Sequence, residues 1–166
     1  MAPDGNDQAQ FQKLLEAAKT WKEQIRAGHL PRKLAWESMT TTIVSTLHHP
    51  LPATTMSLKQ CAAIMTPTLQ AGLPCSGIVR TFPRALEYGP IEYQGLGIPN
   101  LYTSQGISHI ERIPKYSCLD VDITGQLIRA SVEQLKLEIG CNGPVLSLPY
   151  ADFAKLATNC CWIRQT

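Results

Sequence analysis

The chain has 166 residues, 44% of them hydrophobic and 17% charged, which is long enough for one domain with a real core and too apolar for a disordered chain. No apolar run approaches the roughly 18 residues that a membrane span needs. The polar, acidic start "MAPDGNDQAQ" resembles neither a secretory signal nor a basic transit peptide, so a soluble intracellular protein is expected, in cytoplasm or nucleus.

The net charge of +2 is unevenly spread. Between Arg26 and Arg84 six bases face the single acid Glu37, a local charge of +5 that leaves −3 for the rest of the chain. Six cysteines, Cys61, Cys75, Cys118, Cys141, Cys160 and Cys161, form no CxxC pair, and reduced, partly buried thiols are expected.

Asp7 or Asn6 can cap a first helix whose Phe11, Leu14, Leu15, Ala18, Trp21 and Ile25 recur at helical spacing up to Gly28. Pro31 opens a second helix carrying Trp36, Met39, Ile43 and Leu47, which "HHPLP" stops; the β-branched run from Thr40 to Val44 weakens it. A third begins with a capping box of Ser57 and Gln60 and a staple of Met56 and Cys61. Its expected inner face is Leu58, Ala62, Met65 and Leu69, with a kink or break at Pro67 and an end at Gly72 and Pro74.

From Cys75 to Pro99 the periodicity fails, which reads as a connector with a short helical turn after Pro83. Helical spacing returns in Tyr102, Gly106, Ile110 and Ile113, between Pro99 and Pro114. Thr124 then caps a helix bearing Ile128, Val132, Leu135 and Ile139, closed by Gly140, and Asp152 opens a last one through Phe153, Leu156, Cys160 and Ile163. The class is all-α, divided into a helical region 1–74, a Gly/Pro-rich connector and helix 75–114, and a C-terminal helical region 115–166.

Each candidate for chemistry meets a plainer explanation. In "YQGLGIPN", Gly95 and Gly97 are followed by Asn100 where a dinucleotide site needs its third glycine, and no buried strand precedes them. Asp120 and Asp122 read as a turn before the Thr124 cap rather than a Mg²⁺ pair. In "YAD", Phe153 stands where the second aspartate of a polymerase motif would be. His48 and His49 are adjacent and lack further ligands at metal spacing. No signal pairs His29 or His109 with a cysteine, and no serine sits in G-x-S-x-G. No catalytic residue, metal or cofactor is expected.

The basic residues Lys22, Arg26, Arg32, Lys33, Lys59, Arg80 and Arg84 remain as candidates for contact with a nucleic-acid backbone, which needs positive groups on one face and no particular motif. Trp36 and Tyr88 could stack on bases or simply pack.

Several pieces, taken in order, resemble the region after the palm of retrotransposon reverse transcriptases of the non-LTR type. They are "APDGN", the two helical stretches from Leu14 to Ala53, "CAAIMTPTLQAGLP", and "VRTFPRALEYGPIEYQGLGIPNL". The last resembles the family's P-x-x-x-G-G-L-G-I-x-x-L signature at Pro90, Gly95, Leu96, Gly97, Ile98 and Leu101, with Gln94 in place of a glycine.

The likeness spans residues 1 to 114 and continues more loosely beyond. It implies a three-helix thumb-like bundle and connector that grips template and primer, an RNA–DNA or DNA backbone, without the fingers and palm. Those would precede Met1, and a palm domain in trans would be a partner. The expected chain is therefore a fragment that does not polymerise by itself. The alternative is a helical protein-interaction module or a folded remnant without function.

Overall fold

The computed structural model describes residues 7–117, 123–140 and 142–144. Every regular element among them is helical. They fall into two compact units, 1–105 and 106–166.

The first unit is built on an up-down-up helical bundle. Helix α1 (Gln8–Ala27) buries Leu14, Ala18, Trp21 and Ile25, with Phe11 packed partly against the core. This is the stripe that its 3.6-residue periodicity predicts. Asp7 stands at its N-cap position but makes no side-chain cap. Its carboxylate instead accepts from the backbone N–H of Thr55, 2.7 Å away, and from the Thr55 hydroxyl, 3.1 Å away.

The return stroke is one helical run in three parts: α2 (Arg32–Glu37), a π-helical stretch (Ser38–Ile43) and α3 (Val44–His48). The β-branched run widens the helix without breaking it. The Thr41 hydroxyl donates to the Glu37 carbonyl at 2.7 Å and that of Thr40 to the Trp36 carbonyl at 3.0 Å. These carbonyls are thus shared with side chains, a competition that loosens regular α-helical pairing. Ala35, Met39, Ile43, Val44 and Leu47 are buried and Trp36 is half-buried.

Helix α4 (Leu58–Cys75) opens with the reciprocal capping box. The Ser57 amide donates to Gln60 Oε1 at 2.9 Å and the Gln60 amide to Ser57 Oγ at 3.3 Å, while Met56 and Cys61 are both buried. The expected inner face needs correction: Leu58 and Ala62 are exposed, and the buried residues are Cys61, Ile64, Met65, Pro67, Thr68, Leu69, Ala71, Gly72 and Leu73. The stripe is set from Cys61 rather than Leu58, and it broadens because α1 and the return stroke both cover α4. Pro67 lies within a continuous helix, and Gly72 is an interior contact position rather than a terminator.

The two outer strokes are parallel and in register. Asp7 meets Thr55, and 15 residues further along each segment the Lys22 ammonium donates to Gln70 Oε1 at 3.1 Å; both pairs are 48 residues apart in sequence. The return stroke runs against them. Trp21 Nε1 donates to Ser38 Oγ at 3.2 Å, and Met39 and the Trp21 ring close over Gly72.

The first part of the expected connector packs with this bundle. After α4 come the single turn α5 (Arg84–Glu87), located as Pro83 predicts, and a 3₁₀ turn at Ile91–Tyr93. Helix α6 (Leu101–Ser117) is capped by Asn100, whose Oδ1 accepts from the amides of Tyr102 at 3.0 Å and Thr103 at 3.3 Å. Its stripe is shifted from expectation. Leu101, Gln105 and His109 are buried, whereas Ile110 is exposed, and Pro114 lies inside the helix instead of closing it. Gln105 is buried because it completes the backbone of Met56, accepting from its N–H and donating to its carbonyl, both at 3.1 Å.

In the second unit, α7 (Ile123–Ile139) starts one residue before Thr124, which is therefore helical rather than the cap. Ile128 is buried, Val132 half-buried, and Gly140 ends the helix at φ +70°. The side chains of Ile113, Leu135 and Ile139 lie outside the described residues. So do Asp120, Asp122, the "YAD" stretch, the helix expected from Asp152, and Cys118, Cys141, Cys160 and Cys161.

Candidate nucleic-acid interface

Because α1 and α4 are parallel, their C-terminal ends meet, and α2 begins beside them. Lys22 reaches across to Gln70 near the end of α4. Arg26 stands one turn beyond Lys22 in the last turn of α1. Arg32, the first residue of α2, lays its side chain over Gly77, whose φ of +84° and lack of a Cβ allow that approach. Lys33 follows with 87% of its side chain exposed and its ammonium 4.0 Å from Glu37. Four of the seven predicted cations thus gather at one end of the bundle.

Two things hold them there. Parallel helices place the negative ends of two helix dipoles side by side, and Arg26 and Arg32 set positive charge against that end, while Asp7 stands at the opposite, amide-rich end. Among the described residues no carboxylate pairs with Arg26, Arg32 or Arg80. Their charge is consequently available to an external anion.

The other three are placed differently. Arg80 is exposed and three residues beyond Gly77, which keeps it within about 11 Å of that end. Lys59 is in the first turn of α4, 11 residues before Gln70, or about 16 Å away along the helix axis. Arg84 is engaged: its Nη1 donates to Glu87 Oε2 at 2.5 Å.

Glu87 is the functional group that the periodicity did not reveal. It is fully buried, and its Oε1 has no hydrogen-bond partner. The glycine run explains how it comes to be covered. The amides of Leu96, Gly97 and Ile98 donate to the carbonyls of Leu86, Gly89 and Glu87 at 2.8, 2.9 and 3.1 Å, so "GLGI" lies back across α5. Gly95 abuts the Gly89 carbonyl with no room for a side chain, and Gly97 has φ +66°. Gln94 adopts φ +62°, the left-handed conformation that glycine would favour. The run closes a loop, and its amides are spent on the loop's own carbonyls rather than turned toward a phosphate. The spacing of Gly89, Gly95 and Gly97 is the one signal from which this closure could have been read.

Nucleophile and metal candidates have little geometric support. Burial pushes the Cys61 thiol up to about 11, against an opposing backbone hydrogen bond, which leaves it protonated and inert at neutral pH. His29 is exposed, at φ +45°, with Nδ1 2.8 Å from the Ala27 carbonyl. Among the described residues no three His, Cys, Asp or Glu side chains group as a metal site. Trp36 and Tyr88 are half-buried against the core, which favours packing over stacking for both. No helix among the described residues is long and apolar enough to cross a membrane.

No family model matches the chain, and neither a curated protein nor a solved structure is significantly similar to it.

Proposed function

We propose that the bundle binds the phosphate backbone of a nucleic-acid duplex, of the RNA–DNA or DNA kind, through Lys22, Arg26, Arg32 and Lys33, with Arg80 alongside. Chemistry on that duplex is left to another domain or protein. The observation that carries this reading is the convergence of cations from α1 and α2 on one end of the bundle, with Arg80 three residues beyond the Gly77 that Arg32 covers and, among the described residues, no carboxylate on Arg26, Arg32 or Arg80. Such a cluster releases counterions from a phosphate backbone and needs no base contact.

The ordered likeness to the thumb and connection region of retrotransposon reverse transcriptases agrees with that role, since such a region holds template and primer. Lys59 and Arg84 contribute less in this proposal. The first is at the far end of α4 and the second is neutralised by Glu87.

A filter-binding titration of an RNA–DNA hybrid over a range of salt tests the binding. Affinity that falls steeply with salt is expected; affinity independent of salt, or none at low salt, contradicts it. A primer-extension assay on the same chain tests the division of labour, with no templated synthesis expected.

A further inference from the structure

We propose that the tip of the connector, Ile91, Glu92 and Tyr93, is a self-association surface that docks on Leu30, Lys33 and Leu34 at the start of α2 in a second copy of the chain. Ile91 and Tyr93 are 76% and 77% exposed, yet the turn that carries them is held at both sides. Gly95 seats against the Gly89 carbonyl, the Gly95 amide donates to the Pro90 carbonyl at 3.0 Å, and Gly97 donates to Gly89 at 2.9 Å. Two large apolar side chains on a backbone closed in this way lose little entropy when they dock, and tyrosine is among the residues that carry most binding energy.

Charge decides the partner. From Ala85 to Asn100 there is no lysine or arginine, and Glu92, between the two apolar residues, has no ion pair among the described residues. Such a tip repels phosphate and anionic lipid. It fits a surface where exposed apolar groups flank a cation. The chain supplies one: Leu30 and Leu34 are exposed, four residues apart, with the Lys33 side chain between them in sequence, exposed and only loosely paired with Glu37 at 4.0 Å.

An apolar-acid-apolar tip thus meets an apolar-cation-apolar receptor. Tip and receptor are different surfaces of one chain, so two copies pair reciprocally, tip to receptor twice, or add head-to-tail. The contact is small and partly ionic, hence weak and salt-sensitive. Lys33 is shared with the proposed nucleic-acid interface, so a bound duplex competes with self-association.

Sedimentation velocity on the purified chain without nucleic acid tests this separately from duplex binding. At low salt the sedimentation coefficient is expected to rise with concentration. Glu92→Lys and Lys33→Glu each weaken association at least about tenfold, because like charges then face each other. An equimolar mixture of the two variants restores it, since the reversed tip meets the reversed receptor. Ile91→Ser with Tyr93→Ser abolishes association, and no charge reversal rescues it. All these side chains are exposed, and unchanged far-ultraviolet circular dichroism establishes that each variant folds. A chain that stays monomeric up to millimolar concentration, association indifferent to both reversals, or a mixture that fails to restore it would each overturn the proposal.

Discussion

Gly95 lies so close to the carbonyl oxygen of Gly89 that a methyl group in place of its hydrogen would overlap that oxygen. The obstruction is backbone, which cannot rotate aside as a side chain could. Gly95→Ala is therefore expected to destabilise the chain by about 3 kcal/mol, toward the upper range for overpacking, and to expose the buried Glu87 as the loop opens. Urea denaturation measures the first effect.

Gly72 presents the contrasting case. Here the obstruction is the flexible Met39 side chain, with the Trp21 ring behind it. Gly72→Ala is expected to cost about 1–3 kcal/mol, and much of that should return when Met39→Ala vacates the space. The double mutant would then be more stable than the sum of the single effects predicts. Strict additivity in denaturant midpoints would show that α4 and the π-helical stretch do not meet as described.

The helices with a clean 3.6-residue stripe were legible from residues alone: Leu14, Ala18, Trp21 and Ile25 are buried as their spacing requires, and the Ser57–Gln60 capping box is present. Burial departs from the simple stripe where it comes from more than one neighbour or from polar needs. Leu58 and Ala62 fit a helical stripe as well as Cys61 does, and only the position of α1 and the return stroke decides between them. Gln105 is buried because the Met56 backbone lacks other partners, which no hydrophobic pattern encodes. For the candidate site, the charge asymmetry was legible, but which cations converge depends on α1 and α4 being parallel, a tertiary fact. Glu87 was hidden because a lone acid on a four-residue helix looks exposed.

Gln105 offers a direct test of that polar requirement. Gln105→Leu keeps the apolar volume approximately but strands both the amide and the carbonyl of Met56. The expected loss is about 1–3 kcal/mol for each stranded group. Met56 also precedes the capping box, so hydrogen exchange at the first turn of α4 should accelerate more than at Ala71 or Leu73.

Stability should fall in alkaline solution partly through Cys61. Its thiol titrates near 11 in the folded chain against an ordinary 9.0, so between those values the native state holds a proton that the unfolded state has released. The contribution is complete below pH 9 and is lost as pH rises toward 11. Tyr88, raised by burial despite the opposing charge of Arg84, acts in the same direction. Comparing the pH dependence of the urea midpoint in wild type and Cys61→Ala isolates the cysteine: the variant should show a shallower decline over that window.

The most direct test of the proposed interface is the salt dependence of RNA–DNA hybrid binding in three variants. Arg26→Ala and Arg32→Ala should each weaken binding and reduce the slope of log affinity against log salt by about 1, as expected when a phosphate contact is removed. Lys59→Ala, which changes the same type of charge at the other end of α4, should leave the slope near that of the wild type. Equal effects from all three, or no effect from Arg26→Ala and Arg32→Ala, would contradict a duplex-binding site at the cationic end of the bundle.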